Sequence, residues 1–298
     1  MVNQAMPLED SVTAMQQLGD RIITWAESQP EVRAILVIGS RARRDLPADE
    51  WSDLDLIVFA TDSERYLAGD DWLHDIGQVW LNLPHQTGGG HQERLVHFDG
   101  GCKVDFVFFA VDDLRRMVES GKLWDIYHRG YYVLVDKDEL AAQLPPSPFA
   151  PPPYEKPSAD LFTLAVNSFW HDAAYVARQI RRRNLWAANM RNAKMKEMVL
   201  LRMLEWHARA VNGWDYDTWH NGYLMSEWTD PQTWDELQGT FGGFGVVESW
   251  RALSAMMDLF RRLAVETASE LGYAYPSATD ERFTRLVKRL YEKDDQAQ

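Results

Sequence analysis

Asp53 and Asp55 stand on either side of a leucine where an apolar run opens, Leu54–Phe59 (LDLIVF). In a strand, alternate side chains share a face, so the two carboxylates point the same way, ~7 Å apart at Cα. Leu54 and Leu56 then point to the opposite face, into a core. Two carboxylates side by side repel, which raises one pKa and costs stability unless a partner intervenes. A divalent cation is such a partner, and Mg²⁺ typically takes one or two carboxylates plus substrate phosphates. Thirteen residues before Asp53, an apolar run ends in Gly39-Ser40-Arg41. Glycine lets backbone approach a phosphate, and the Ser40 hydroxyl and nearby backbone N–H groups can donate to it. Arg41, Arg43 or Arg44 can add charge-assisted bonds. A third acid, Asp105, lies inside KVDFVFF (Lys103–Phe109), where an ionised residue has no packing reason to sit. The alternative for Asp105 is a surface-facing edge position. Neither a Gly-Ser pair nor an Asp-x-Asp is specific alone, whereas strand, Gly-Ser, spacer, Asp-x-Asp and strand in that order is.

The elements that must position these residues divide into two kinds. Before residue 145 short β-like runs dominate: Arg33–Ile38, Leu54–Phe59, Val79–Leu83, Leu95–Phe98, Lys103–Phe109 and Tyr131–Val135. Asp99-Gly100-Gly101 reads as a hairpin turn. Helical spacing marks Ser11–Glu27, with Ser11 as N-cap, and the shorter Asp112–Glu119. Seven of the 13 prolines then lie between Pro145 and Pro157, a run that forms neither helix nor central strand. Beyond it the pattern is helical: Ser158–Arg183, Asn192–Val211, Val246–Leu271 and Asp280–Tyr291, with a Trp-rich stretch Trp214–Trp234 between. The reading is an α+β protein. Residues 1–144 form a mixed sheet flanked by helices, 145–157 a Pro-rich linker, and 158–298 a helical bundle. Eight of the 13 tryptophans fall after the linker, most as core and some able to line a pocket.

The 298 residues carry a formal charge of −14, and the two halves share it unequally. Residues 1–149 hold 13 Lys+Arg against 25 Asp+Glu, a net of −12, and residues 150–298 a net of −2. Such a chain is a poor general binder of nucleic acid and suits a cationic small molecule; solubility alone also accounts for the charge. No run approaches the ~18–20 apolar residues of a membrane span. The start, MVNQAMPLED, has no basic segment leading an apolar one, so a soluble cytoplasmic protein is expected. The single cysteine, Cys102, excludes an internal disulfide framework and a Cys-rich zinc site, and beside a turn it reads as inert. His85, His91 and His97 bracket Gly88–Gly90 at a spacing that matches no common zinc pattern. Arg181–Arg183 read as cations closing a helix.

GSRARRD, SDLDLIVF and KVDFVF together resemble the DNA polymerase beta-like nucleotidyltransferase superfamily. NSFWHDAAYVARQIRRRNLWAANM and KEMVLLRMLEWHARAVNGWDYDTWHNGYLMSEW are similar to the aminoglycoside 6-adenylyltransferase (streptomycin adenylyltransferase) family, over about residues 10–275. Family members often carry an acid where this chain has Ser168, and an aspartate near Asn192. The resemblance implies a transfer of AMP from ATP to an acceptor hydroxyl, releasing pyrophosphate. Asp53 and Asp55 would hold Mg²⁺, and Gly39, Ser40 and Arg41 would bind the triphosphate. Asp105 would be either a third ligand or the general base. The bundle would supply the acceptor pocket, from Trp170, Glu205, Asp215 and Asp217, and a triphosphate lysine, Lys196. Acids among aromatics in WDYDTW suit ammonium and guanidinium groups, and the same string also reads as a capped helix start. Lys194 and Lys196 precede MVLLRML and read equally as solvated surface. The expected partners are ATP and a cationic acceptor, streptomycin first, for a monomer or homodimer. Other readings are transfer to a lincosamide or a protein side chain, or a nucleotide-binding sensor without turnover.

Overall fold

The computed structural model describes residues 8–295. It divides into two compact units, residues 1–152 and 153–298, with the boundary inside the proline-rich run.

In the first unit six strands form one sheet: β1 (Val32–Ile38), β2 (Leu54–Ala60), β3 (Val79–Gln86), β4 (Gln92–Phe98), β5 (Lys103–Ala110) and β6 (Tyr132–Asp136). Their order is β3-β4-β5-β2-β1-β6. Only β2 and β5 are parallel; the other four pairings are antiparallel. Strict alternation along β2 and β5 sends Leu54, Leu56, Val58, Val104, Phe106 and Phe108 to one face. There they pack under α1 (Leu8–Ser28), α2 (Ser63–Ala68) and α3 (Leu73–Ile76), with Trp25 stacked on Trp72 at 4.8 Å. Helix α1 begins one turn before Ser11, the residue expected to cap it.

The opposite face is covered along only part of its length. Helix α4 (Val111–Ser120) leaves β5 at once and folds back, so Leu114 and Met117 close over Ile57, Phe59 and Val107. Asp55 and Asp105 lie one pleat earlier on the same face, beyond the helix. The β4–β5 turn, Asp99–Gly101, needs glycine at Gly100 and Gly101, whose φ angles are +80° and +77°. Cys102 follows it, buried, and the carbonyl of Cys102 accepts from the Phe98 N–H at 2.8 Å.

The second unit is helical: α5 (Ala159–Arg181), α6 (Leu185–Met195), α7 (Leu201–Asn212), α8 (Met225–Trp228), α9 (Pro231–Gly239), α10 (Val246–Leu271) and α11 (Ser277–Asp295). Ser158 caps α5 by accepting from the Leu161 N–H, and Asp230 caps α9 through the Thr233 N–H. The core is aromatic, with Phe169 and Phe260 stacked at 3.7 Å. The single helix expected over Asn192–Val211 is in fact α6 and α7 joined by a π turn, Lys196–Leu200. The WDYDTW string is an irregular loop and not a capped helix start.

Candidate active site

The end of β1 brings Gly39 beside Asp55, because Ile38 and Asp55 are register partners. Gly39 adopts φ +68°, and a Cβ on it would meet the Asp55 Oδ2 at 2.1 Å. No other residue type fits there without moving the carboxylate. The chain then makes a tight turn, with the Ala42 and Arg43 N–H groups both donating to the Gly39 carbonyl at 3.1 Å. Arg41 sends its guanidinium into the segment before β2, donating from Nε to the Asp53 carbonyl at 2.8 Å and from Nη2 to the Ser52 carbonyl at 2.7 Å. Arg41, expected on phosphate, is thus committed through these two nitrogens to fixing the backbone at Asp53.

Asp55 and Asp105 are direct partners in the parallel β2–β5 pair. Asp53, one residue before β2, completes a cluster in which one oxygen from each of the three acids lies within 4.8 Å of the others. Lys103, two residues before Asp105 and on the same face, donates from Nζ to the Asp53 Oδ2 at 2.6 Å and the Asp105 Oδ2 at 2.8 Å. Burial alone would lower the lysine pKa, but these two carboxylates outweigh it and hold the ammonium above its ordinary range. Burial, then repulsion from Asp53 and Asp105, pushes the Asp55 carboxyl up to about 7. Asp105 is also raised, by burial first, against the opposing pull of Lys103. Glu93 adds to both shifts. It sits on β4 across from Val107, on the same face, and meets the His85 Nδ1 at 2.6 Å.

Two polar atoms here are buried without a partner: the Ser40 Oγ and the Asp105 Oδ1. Buried unpaired oxygens are costly, and three carboxylates around one ammonium leave excess negative charge. Both features fit a divalent cation with an attached phosphate, since hard oxygen donors suit Mg²⁺. Asp53, Asp55 and Asp105 are the residues that would hold it. Among the described residues no other group of three such side chains is so placed.

In the helical unit the expected site residues separate. Asp215 and Asp217 line one cavity of about 480 Å³ together with Tyr216, Trp219 and Trp228, and Glu227 adds a third acid. The Asp217 Oδ1 also accepts from the Trp219 N–H at 2.8 Å and the Tyr154 hydroxyl at 3.1 Å. Trp170, expected to touch the acceptor, is fully buried instead, edge-on to Phe169 with the Arg261 guanidinium over its ring. It is core, because the apolar face of α5 carries it inward. Glu205 is half-buried on α7, 4.0 Å from the Arg209 Nη1, and is not among the residues lining the Asp215 cavity. Lys196 is not the solvated helix start of the alternative reading. Its ammonium lies 4.8 Å from the centre of the Phe241 ring and donates to the Asn192 Oδ1, and burial lowers its pKa to about 8.

Lys103, Glu93 and Glu227 were missed from sequence, and His85 was weighed only as a zinc ligand. For Lys103 a signal existed: two residues before an acid in a strand, it must share that acid's face.

Residues 13–290 match the family model described as streptomycin adenylyltransferase. The chain is 25% identical over 284 residues to an aminoglycoside 6-adenylyltransferase of Bacillus subtilis (strain 168), covering 93% of this chain and 97% of that one. It is 25% identical over 289 residues to an aminoglycoside 6-adenylyltransferase of Campylobacter jejuni, covering 93% and 96%. A crystal structure of an aminoglycoside 6-adenyltransferase from Bacillus subtilis aligns with 93% of this chain and 98% of its own, at 22% identity and a TM-score of 0.45. Matched along nearly its whole length, the chain belongs to the streptomycin adenylyltransferase family and is an adenylyltransferase.

Proposed function

We propose that the protein transfers AMP from ATP to a hydroxyl of an aminoglycoside, streptomycin first, with Mg²⁺ held by Asp53, Asp55 and Asp105. The observation that carries this reading is the acid cluster itself, with the Ser40 Oγ and the Asp105 Oδ1 buried beside it and unpartnered. In the transfer, the acceptor oxygen bonds to the α-phosphorus and the bond from that phosphorus to the bridging β-phosphate oxygen breaks. Pyrophosphate leaves, and the hydroxyl proton passes to a carboxylate. The metal, when bound, supplies charge neutralisation of the attacking and leaving oxygens of an in-line displacement.

The chain's own groups do the rest. Gly39 permits the turn that brings backbone N–H groups and the Ser40 hydroxyl toward phosphate. Arg41 fixes the Asp53 backbone and, through it, the carboxylate. Asp105, half-buried beside the other two acids, is either the third metal ligand or the group that takes the hydroxyl proton. Lys196 offers a cation for the triphosphate. Asp215, Asp217 and Glu227 among Trp219, Trp228 and Tyr216 offer carboxylates and ring faces to the ammonium or guanidinium groups of an acceptor. Because ATP and Mg²⁺ are the reactants, the cytoplasm is the proposed compartment; among the described residues no helix is long and apolar enough to cross a membrane.

The test is pyrophosphate release from ATP and Mg²⁺ across a panel of aminoglycosides, with a lincosamide as contrast. Release dependent on streptomycin supports the reading. Release only with the lincosamide overturns the acceptor, and ATP binding with no release under any acceptor overturns transfer altogether.

A further inference from the structure

Lys103 is the one side chain hydrogen-bonded to two members of the acid cluster among the described residues. Its stem leaves the first position of β5, and its ammonium bridges the Oδ2 atoms of Asp53 and Asp105. One oxygen from each of the three acids lies within 4.8 Å of the others, so a metal ion there would draw on the same carboxylates that hold the ammonium. An ammonium held on two of these carboxylates and a divalent ion drawing on the same pair repel one another at close range. The lysine is about one-third exposed, so its head group has room to move aside. Arg41 does not share this role, because its Nε and Nη2 are spent on the Ser52 and Asp53 carbonyls.

We propose that Lys103 is the resident counter-cation of the acid cluster, displaced from Asp53 and Asp105 by the divalent ion and thereby released to bind an oxygen of the incoming triphosphate. The inference rests on the reading of the three aspartates as a metal site. It makes Lys103 a positioning residue with two opposite effects. In the metal-free protein it competes with the ion and keeps the three carboxylates from repelling one another apart. Once the ion has entered, its charge is transferred to phosphate. One side chain therefore couples metal entry to nucleotide binding.

The opposite signs give the test. Mn²⁺ alone is titrated into the full chain and followed by electron paramagnetic resonance, for the wild type, Lys103→Met and Asp55→Asn. ATP affinity is then measured at saturating metal. Removing two partly exposed ion pairs predicts Mn²⁺ binding about ten-fold tighter in Lys103→Met. ATP is expected to bind about ten-fold more weakly in the same variant, from loss of a charge-assisted bond. Lys103→Arg retains both properties in part. A purely structural lysine would weaken both affinities together, and that outcome overturns the proposal, as does Mn²⁺ affinity equal to wild type. Should Lys103→Met fail to fold, by circular dichroism, Lys103→Gln takes its place with the same expectations. If Asp55→Asn abolishes Mn²⁺ binding while Lys103→Met matches wild type, the metal reading stands and this inference alone falls. If the wild type binds no Mn²⁺, both fall.

Discussion

Gly39 and Asp55 show how little freedom the proposed catalytic centre allows. Gly39→Ala places a methyl group where the Asp55 Oδ2 now sits and asks alanine to hold φ +68°. Pyrophosphate release is expected to fall at least about 100-fold, as for a misplaced catalytic group, with far-ultraviolet circular dichroism unchanged. Asp55 also predicts a pH dependence. Its folded pKa, about 7, lies above the ordinary aspartate value of 3.8. The folded state therefore holds this proton more tightly than the unfolded chain does. Stability is fully present below the unfolded value and declines as pH rises toward 7, by at most ~1.4 kcal/mol per pH unit for one group. In metal-free protein, urea midpoints measured from pH 4 to 7 should fall with that sign, and Asp55→Asn should flatten the slope. A flat wild-type profile would contradict the burial and repulsion assigned to this carboxyl. The three aspartates were legible in sequence because strand alternation places Asp53 with Asp55, and because an ionised residue inside KVDFVFF needs a reason. Lys103 as a bridge was not, since reaching Asp53 depends on the parallel pairing of β2 with β5. The fate of Trp170 was equally hidden: an aromatic on an amphipathic helix declares itself as core or pocket only when its neighbours are known.

At the level of elements, the site exists because α4 covers one end of a sheet face and not the other. The sequence showed the strands and α4 clearly, from β-branched runs and a short helical pattern, though not which end of the sheet the helix would shield. That depends on how tightly the chain turns after Ala110. The π turn at Lys196–Leu200 left no trace of glycine or proline to announce it, so the helix read as continuous. Lys196 opens that turn, and it lies over Phe241 and is partly desolvated, where the sequence offered a surface reading. Among the bundle helices the tightest pairing is Phe169 of α5 on Phe260 of α10, both fully buried. Phe260→Ala should cost about 3–5 kcal/mol, read as a lower urea midpoint, through lost burial and the cavity left behind. A loss below about 1 kcal/mol would mean that this stack is not a keystone of the helical unit.

Across the whole molecule, the charge is concentrated in the sheet unit, where the three clustered aspartates lie. A field of that sign attracts a polycationic acceptor, and salt screens it. Raising ionic strength from about 50 to about 200 mM is expected to raise the acceptor KM several-fold while kcat holds, in steady-state assays with ATP saturating. An unchanged KM would reduce the acidic excess to a solubility device. Proline content and the change of period across residues 145–157 suggested a linker there, but that run is less free than its prolines suggest. Pro145 accepts from the Tyr131 hydroxyl at 2.7 Å, and the Ser147 hydroxyl donates to the Tyr127 and His128 carbonyls at 2.9 Å. Pro157 accepts from the Tyr273 hydroxyl at 2.7 Å. Composition could not reveal these anchors, which are made by residues distant in the chain.

The sole cysteine turns the active strand into its own clock. Cys102 is buried and its thiol pKa is raised by burial, so it is slow to react in the closed hairpin. It immediately precedes Lys103 on the strand that carries Asp105. With no second thiol in the chain, the rate at which a thiol reagent consumes the protein, at fixed pH, reports how often the core around Cys102 opens. Any ligand that stiffens the sheet around β5 is thereby made visible as slower modification, without a label being introduced and without a turnover being measured.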